Sequence, residues 1–380
     1  MNDFQRQLWN DLMTLADESE AFYYADQELN GAWYRIFNYR LASYTEFCKP
    51  SALECRGHMF EITEEGKDAV PVRLAALPPE KFFNLYENPF TMELDLSEID
   101  LIEDKADGSL ISTYMDSNGA LRLKTKGSLS SDQAVDAEKW LMMNAVYDAF
   151  FRELADLTGH GYTVNMEWVA PHNRIVLGYE KPELRVLNIR YIVDGSYLDK
   201  DEFGSAYPEV QARWTERFNV DDPAKFVASI PDMQNIEGFV VRLTSGQRVK
   251  IKTTWYLALH HTKDNINSPR RLFEAVLEEA TDDMKTLFHD DPLALQTIAE
   301  MEEFVEEKYN HMVDTVERFY ERNKHLERKE YAILGQEELN GTMFFGLAMN
   351  KYAGKEFSYK DFLKSKWKQL GLKDLEKEDE

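Results

Sequence analysis

The sequence predicts an α+β fold, with a first domain of antiparallel sheets and flanking helices and a second domain that is entirely helical. Two stretches alternate apolar and charged residues on either side of a turn signal, a pattern that predicts β-hairpins. After Tyr256 the apolar residues recur at helical spacing instead. We therefore expect one domain over residues 1–258 and another over residues 259–380. The 43% hydrophobic content is sufficient for both cores.

The chain begins with a predicted helix and two strands. The helix is indicated by apolar residues at helical spacing, namely Phe4, Leu8, Leu12 and Leu15. The strands are predicted at Trp33–Tyr39 and at Leu53–Glu61, where Arg56 stands beside a glycine. An arginine in that position suits phosphate or carboxylate oxygens, and a surface ion pair is an equally good interpretation. Tyr39 suits either stacking on a base or a place in the core.

The first hairpin is predicted at Ser109–Met115 and Leu121–Lys126, joined by the turn signal Asp116–Gly119. The period of two places the charged residues of its second strand on one face, namely Arg122, Lys124 and Lys126. A helix is expected next, with inner positions at Trp140, Met143, Val146 and Phe150. The strand Val164–Val169 then carries Glu167 among bulky apolar residues, so this carboxylate is either solvated or paired.

The second hairpin is predicted at Ile236–Leu243 and Arg248–Lys252. Lys250 and Lys252 point the same way because Val249 and Ile251 occupy the other face. Two neighbouring ammonium groups repel each other unless an anion lies between them. Together with Arg56, Lys81 and Lys105, this pair predicts a polyphosphate pocket.

The second half of the chain is predicted to be helical. A long helix is indicated by apolar residues at Ile298, Met301, Val305, Met312, Val316 and Phe319. Asp282 and Asp283 precede it in a break between helical segments, where acids either hold a hydrated cation or cap the next helix. The most basic stretch is a candidate contact for RNA phosphates or a solvated helix face, and it comprises Lys351, Lys355, Lys360, Lys364, Lys366, Lys368 and Lys373.

Composition limits the classes of function. A net charge of -25 argues against non-specific binding of polyanions and leaves room for a local basic groove. No apolar run is long enough to span a bilayer, so no membrane partner is expected. Cys48 and Cys55 are too few for a disulfide framework, and we expect buried thiols in a reducing cytoplasm. The absence of a Walker loop and of Gly-x-Gly-x-x-Gly excludes P-loop and Rossmann nucleotide sites.

The sequence Lys105-Ala106-Asp107-Gly108 precedes the first hairpin. A lysine amine becomes a nucleophile when desolvation or neighbouring cations favour its neutral form. Asp107 suits the orientation of a metal or substrate group, and Gly108 permits close backbone approach. By itself this tetrapeptide is equally typical of an exposed turn before a strand. The lysines and acids downstream favour the catalytic interpretation.

In this order the motifs resemble those of the covalent nucleotidyltransferases, the superfamily of ATP-dependent ligases and capping enzymes. Lys105–Gly108 resembles the nucleophile motif, and the later motifs are matched by Glu167, by Glu237-Gly238 and by Lys250-Ile251-Lys252. The bacteriophage RNA ligase 1 family is resembled more closely, through Tyr34-Arg35-Ile36-Phe37, Leu53-Glu54-Cys55-Arg56-Gly57, Glu80-Lys81-Phe82-Phe83-Asn84, Glu87-Asn88-Pro89-Phe90-Thr91-Met92, Asn173-Arg174-Ile175-Val176-Leu177 and Trp255-Tyr256.

The resemblance implies a role for each matching residue. Lys105 would carry the adenylate, and Lys126 and Tyr256 would act in catalysis. ATP would be bound by Tyr39, Arg56, Lys81, Glu167, Lys250 and Lys252. Asp282 would bind a metal, and Asp283 beside it is a second candidate from the sequence itself. Phosphoryl transfer also favours Mg²⁺, or Mn²⁺, to offset charge on the phosphate oxygens, and Glu237 and Asp107 are the acids expected to hold its water shell. Ala106 stands where a phage member of the family has an acid, and the segment after Glu330 has diverged.

The implied function is ATP-dependent joining of an RNA 5′-phosphate to a 3′-hydroxyl by a monomer in the host cytoplasm, with a cleaved tRNA anticodon loop or single-stranded RNA as substrate. A DNA ligase or capping enzyme would share the motifs but would usually continue into a small barrel of short strands. A non-catalytic RNA-binding module is the alternative from a different class.

Overall fold

The structure is a computed structural model that describes residues 1–143, 145–173, 176–203, 206–260, 266 and 268–370. The chain divides into two compact units, Met1–His260 and His261–Glu380. This division lies two residues beyond the boundary expected from the sequence (260 against 258). The functions expected of the two parts stay predictions.

The first unit contains three sheets in its described residues, and all but one of their strand pairs are antiparallel. Its strands are β1 (Phe22–Leu29), β2 (Ala32–Tyr39), β3 (His58–Ile62), β4 (Pro71–Ala76), β5 (Phe83–Asn84), β6 (Ile99–Asp104), β7 (Ser109–Met115), β8 (Leu121–Lys124), β9 (Tyr162–Val169), β10 (Glu183–Tyr191), β11 (Tyr197–Leu198), β12 (Gly238–Leu243) and β13 (Arg248–Lys252). We call the sheets A (β1-β2-β3-β4), B (β5-β13-β12-β6) and C (β11-β10-β9-β7-β8). The short β5–β13 pair is parallel.

Helices cover these sheets, and they are α1 (Asp3–Glu18), α2 (Tyr44–Phe47), α3 (Asp132–Met142), α4 (Asp148–Gly159), α5 (Pro208–Ala212), α6 (Pro223–Ser229) and α7 (Thr254–His260). The apolar side of α1 belongs to one buried cluster with the inner residues of sheet A. In the same way α3 and α4 share a core with sheet C, and α6 shares one with sheet B. Each sheet therefore has its own helical cover, and the predicted α+β class is confirmed.

The second unit is helical throughout its described residues, as predicted, with α8 (Pro269–Leu277), α9 (Thr281–Leu287), α10 (Pro292–Asn323), α11 (Arg328–Glu338), α12 (Phe345–Tyr352) and α13 (Tyr359–Ser365). Asp291 caps α10 by accepting from the backbone N–H groups of Leu293 and Ala294. The long apolar seam predicted from the sequence lies along α10, with Ile298, Val305 and Phe319 buried. None of the described helices is long and apolar enough to cross a bilayer.

Four local predictions were wrong. Ala52–Glu54 forms a 3₁₀ turn rather than a strand, and β3 begins only at His58. Strand β8 ends at Lys124, because the chain turns where the Thr125 N–H donates to the Ser128 carbonyl. Met143 and Val146 are 83% and 76% exposed, because the predicted single helix breaks between α3 and α4. Cys48 is exposed, whereas Cys55 is buried.

The basic stretch near the C-terminus is less free than the sequence indicates. Lys351 pairs with Glu317, Lys360 with Glu279 and Lys364 with Glu278. These acids lie far away in sequence, so the sequence does not indicate these three pairs, which remain partly exposed to solvent. The predicted RNA contact stays a prediction, and Lys373 lies outside the described residues.

A buried ion pair joins sheet C to the turn before sheet A's third strand. Arg190 on β10 donates to both carboxylate oxygens of Glu54 at 2.7 and 2.9 Å. His58 Nε2 lies 2.8 Å from the same carboxylate. Although burial alone would raise the pKa of Glu54, the hydrogen bonds and charges of Arg190 and His58 hold it far below its usual range.

Arg190→Met is expected to lower the free energy of unfolding by about 3–5 kcal/mol, because it removes the guanidinium charge and leaves the buried Glu54 carboxylate with His58 alone. Urea denaturation followed by circular dichroism measures the change. Arg6→Met is the matched control: Arg6 pairs with Asp3, but its side chain is 58% exposed and that of Asp3 is fully exposed. A similar loss in both variants would contradict a special role for the buried pair.

Candidate active site

Three strand ends of sheet B place three charged side chains together. Lys105 directly follows β6, Glu237 directly precedes β12, and Lys252 is the last residue of β13. Because β12 is antiparallel to both neighbours, the last residue of β6, the first residue of β12 and the last residue of β13 lie at the same end of the strands. The Lys105 N–H donates to the Gly238 carbonyl at 3.1 Å, which fixes the backbone there.

One carboxylate oxygen contacts two ammonium groups at this end of the strands. Glu237 Oε1 lies 2.8 Å from Lys105 Nζ and 3.2 Å from Lys252 Nζ. The side chain of Lys105 is 20% exposed, whereas that of Glu237 is 3% exposed. Glu237 Oε2 is buried and has no hydrogen-bond partner among the described residues. Glu237 is therefore an anion that lies between Lys105 and Lys252, one of the two lysines paired on β13.

Gly238 is required for this close approach of strands. A Cβ at this position would lie 2.0 Å from the Ile251 carbonyl oxygen, and its φ of +150° is also unfavourable for other residues. The glycine of the Glu237-Gly238 motif thus allows β12 and β13 to pair up to their ends. This pairing holds Glu237 beside Lys252.

Sheet C contributes Glu167 and the backbone after Lys105. Glu167 Oε1 accepts a hydrogen bond from the Gly108 N–H at 3.0 Å. Burial raises the pKa of Glu167 to about 7, an effect that Lys105 and Arg56 oppose and Glu237 reinforces. Glu167 is thus half-buried, with one oxygen paired to a backbone N–H group.

Asp107 is a structural link in this structure rather than an open metal ligand. Its Oδ2 accepts from the N–H groups of Val176 and Leu177 at 2.8 and 2.7 Å, and its Oδ1 accepts from the Tyr256 hydroxyl at 2.9 Å. Its own N–H donates to the Tyr179 hydroxyl. Both carboxylate oxygens are thus engaged by the protein, which argues against the metal role expected for Asp107.

Tyr256 is correspondingly fixed. It is buried, its hydroxyl donates to Asp107, and Lys252 Nζ lies 5.1 Å from its ring centroid. The sequence gives no signal for Tyr179, because an aromatic residue in a loop is common and its partner is a backbone N–H group.

Three further predicted site lysines lie near Tyr39 and β5: Lys81 and Lys250, expected to bind ATP, and Lys126, expected to act in catalysis. Lys81 Nζ and Lys126 Nζ lie 5.4 and 5.0 Å from the Tyr39 ring centroid. Lys250 on β13 lies 5.2 Å from the ring of Phe82, next to Lys81 in the sequence. As predicted, Lys250 and Lys252 share one face while Val249 and Ile251 are buried on the other.

Asp282 and Asp283 lie in the second unit, in the first turn of α9, where acids favour the helix N-terminus. Among the described residues there is no group of three or more His, Cys, Asp or Glu side chains arranged to hold a metal ion. The metal role of Asp282 and Asp283 stays a prediction. The structure places both residues at the start of a helix, which was the alternative interpretation.

A pH-dependent stability follows from Glu167. Between about pH 4.5 and 7 the folded state keeps a proton that the unfolded state has lost, so the free energy of unfolding falls as pH rises. Glu167→Gln removes this term. From pH 5 to pH 7.5 we expect the stability of Glu167→Gln relative to wild type to rise, by at most about 3 kcal/mol.

Urea denaturation of both proteins at the two pH values measures this shift. Glu93→Gln, at an exposed glutamate, is the control and should show no such change. A pH-independent difference between Glu167→Gln and wild type would show that burial does not raise this pKa.

Comparison with known proteins matches two family models. The RNA ligase model matches residues 54–256, and the T4 RNA ligase 1 C-terminal domain model matches residues 263–370. RNA ligase 1 of bacteriophage TS2126 is 29% identical over 330 residues, covering 82% of this chain and 78% of that protein. A protein of Thermovibrio ammonificans provisionally named as an RNA ligase is 26% identical, covering 65% of this chain and 64% of its own, just under two thirds.

Among solved structures, one form of an archaeal ATP-dependent RNA ligase is similar at 14% identity, with a TM-score of 0.47 over 80% of this chain and 79% of that one. A second form gives 12% identity and a TM-score of 0.46, covering 80% of this chain and 78% of that one.

Proposed function

The chain belongs to the T4 RNA ligase 1 family and is an RNA ligase, and we propose that it seals RNA with ATP through an adenylate carried on Lys105. One observation carries the proposal. At one end of the strands of sheet B, the Glu237 carboxylate contacts the Lys105 amine, and the Lys252 ammonium contacts the same carboxylate oxygen. Phosphoryl transfer depends mainly on such positioning and on neutralising charge.

In the first step the neutral Lys105 amine attacks the α-phosphorus of ATP. A nitrogen–phosphorus bond forms, the bond to pyrophosphate breaks, and the nitrogen loses a proton. Glu237 Oε1, 2.8 Å from the amine, is the protein group closest at hand to accept that proton. Lys252 and Lys250 are proposed to bind the phosphates from the same strand.

In the second step an RNA 5′-phosphate oxygen attacks the phosphorus of the adenylate and forms an RNA-adenylate, while the bond to Lys105 breaks and the lysine nitrogen takes back a proton. In the third step an RNA 3′-hydroxyl attacks the former 5′-phosphate, loses its proton and releases AMP. Tyr39, Arg56, Lys81 and Glu167 are proposed to contact ATP, with Lys126 and Tyr256 acting in catalysis. The Lys105 side chain is 20% exposed, so its amine is accessible from solvent.

A divalent cation, Mg²⁺ or Mn²⁺, fits one part of this site. The buried, unpartnered Oε2 of Glu237 is an available ligand for the ion or for its water, and such ions usually take only one or two protein carboxylates beside phosphates. When bound, the cation would neutralise charge on the phosphate oxygens. The protein itself keeps Glu237 oriented through the β12–β13 pairing.

RNA is the substrate class, and we propose that broken tRNA anticodon loops or other single-stranded ends are joined by a monomer in a reducing cytoplasm, where both free cysteines would persist. A DNA ligase or capping enzyme is less well supported. After β13 the described residues continue into α7 and further helices, without the strands of a small barrel.

Incubation with α-labelled ATP and a divalent cation, followed by denaturing electrophoresis, tests the adenylate. Wild type should retain label, whereas Lys105→Ala and Lys105→Arg should retain none. The arginine variant keeps the positive charge beside Glu237 but cannot lose its proton, so it separates nucleophilicity from charge. Lys139→Ala, at an exposed lysine, should label like wild type. Label on folded Lys105→Arg would refute the assignment, and an unlabelled wild type would favour a non-catalytic RNA-binding module.

Sealing assays on four substrates test the proposed RNA specificity. A nicked anticodon stem-loop, a linear single-stranded RNA and the DNA equivalent of each are compared at one salt concentration. We expect both RNAs to be sealed at least about tenfold faster than DNA, since correct placement of reacting ends dominates the rate. Equal sealing of DNA would overturn the RNA specificity without affecting the adenylate on Lys105.

A further inference from the structure

Lys124 is a fully buried lysine that the proposed reaction does not use. It is the last residue of β8, and its side chain has no exposed surface. No carboxylate among the described residues forms an ion pair with it. Burying an amine without a counter-ion is costly unless hydrogen bonds compensate. Its placement therefore needs a local reason.

Two carbonyl groups receive the Lys124 amine. Nζ lies 2.8 Å from the Gly57 oxygen and 2.9 Å from the Thr125 oxygen. Gly57 belongs to the turn before β3 in sheet A, whereas Thr125 begins the turn after β8 in sheet C. One side chain therefore ties together turns from two different sheets.

These two turns carry residues proposed to act on ATP. Arg56 directly precedes Gly57, and Lys126 directly follows Thr125. Gly57 packs so closely on the second turn that a Cβ would lie 2.7 Å from the Lys126 oxygen, and its φ is +89°. Because the backbones touch, a shift of either turn would move both Arg56 and Lys126.

The neighbouring side chains reinforce the same contact. Asn38 Nδ2 donates to the Lys126 oxygen at 3.1 Å, and Asn38 directly precedes Tyr39, whose ring lies near Lys126 Nζ. Gln27 contacts the following residues, donating to the Gly127 oxygen and accepting from the Leu129 N–H at 2.9 Å each. The turn after β8 is thus held from sheet A by Gln27, Asn38 and Gly57.

We propose that Lys124 is a positioning residue for ATP binding: its amine joins the Arg56–Gly57 turn to the Thr125–Lys126 turn and so sets the distance between Arg56, Lys126 and Tyr39. It does not touch substrate, since its amine is enclosed. This inference rests on the proposed use of ATP at this site.

Burial also lowers the pKa of Lys124 to about 7. Near neutral pH the amine can therefore be uncharged while still donating to both carbonyls, which suits a tether better than a phosphate ligand. Among Arg122, Lys124 and Lys126, the three basic residues predicted on this strand, it is Lys126, beyond the end of β8, that lies near the Tyr39 ring.

Lys124→Met keeps the chain length and removes the donors. For self-adenylation we expect the KM for ATP to rise about tenfold, since misplacing binding groups weakens their contribution. For sealing of pre-adenylated RNA, which needs no ATP, we expect the KM for RNA to stay within about twofold of wild type. Lys139→Met is the control, and neither constant should change.

Partial unfolding would instead lower kcat for both reactions and leave both KM values unchanged, and that result would overturn the proposal. Asn38→Ala gives an independent test if Lys124→Met does not fold. It loosens the same turn from the other side and should raise the KM for ATP in the same direction, whereas an unchanged KM would refute the tether.

In the double variant Lys124→Met/Asn38→Ala, the KM for ATP should rise by less than the product of the two single increases, because both substitutions act on one turn. Failure of the proposed function is distinguishable, because wild type would then form no adenylate at all. If wild type is labelled on Lys105 while Lys124→Met and Asn38→Ala keep a normal KM for ATP, only the positioning role of Lys124 is rejected.

Discussion

The shared contact of Glu237 with Lys105 and Lys252 is the interaction on which the candidate site depends. Two ammonium groups near one another repel, and a single buried carboxylate oxygen offsets that repulsion. The contact is possible only because β6 and β13 end where the strand between them, β12, begins. The hairpin register is therefore a chemical constraint as well as a structural one, since a slip of one residue would turn Lys252 to the opposite face.

The second constraint is that the site combines three separately covered sheets. Sheet B supplies Lys105 and Glu237, sheet C supplies Glu167, and the turns of sheet A supply Arg56. The buried pair between Arg190 and Glu54 joins sheets A and C within two residues of Arg56. Residues with no chemical role are therefore needed to keep the reactive groups at working distance.

The sequence predicts well those features that depend on a local period. Alternation in the hairpin placed Lys250 and Lys252 on one face, and helical spacing located the buried seam of α10. The motif order also led to the correct family. Features that depend on distant partners were not predictable. Nothing near Lys124 indicates that it will be buried against Gly57, and nothing near Asp107 indicates that Val176 and Tyr256 will engage its carboxylate.

The ion pairs of the second unit have a consequence for how its lysines would respond to salt. Lys351, Lys360 and Lys364 are already neutralised by glutamates of the same unit. An RNA phosphate would have to displace a carboxylate rather than add to a bare cation. Condensed counterions would still leave the RNA, but salt also weakens the ion pairs that must be broken, so the affinity contributed by these three lysines would depend less on ionic strength than that of unpaired lysines.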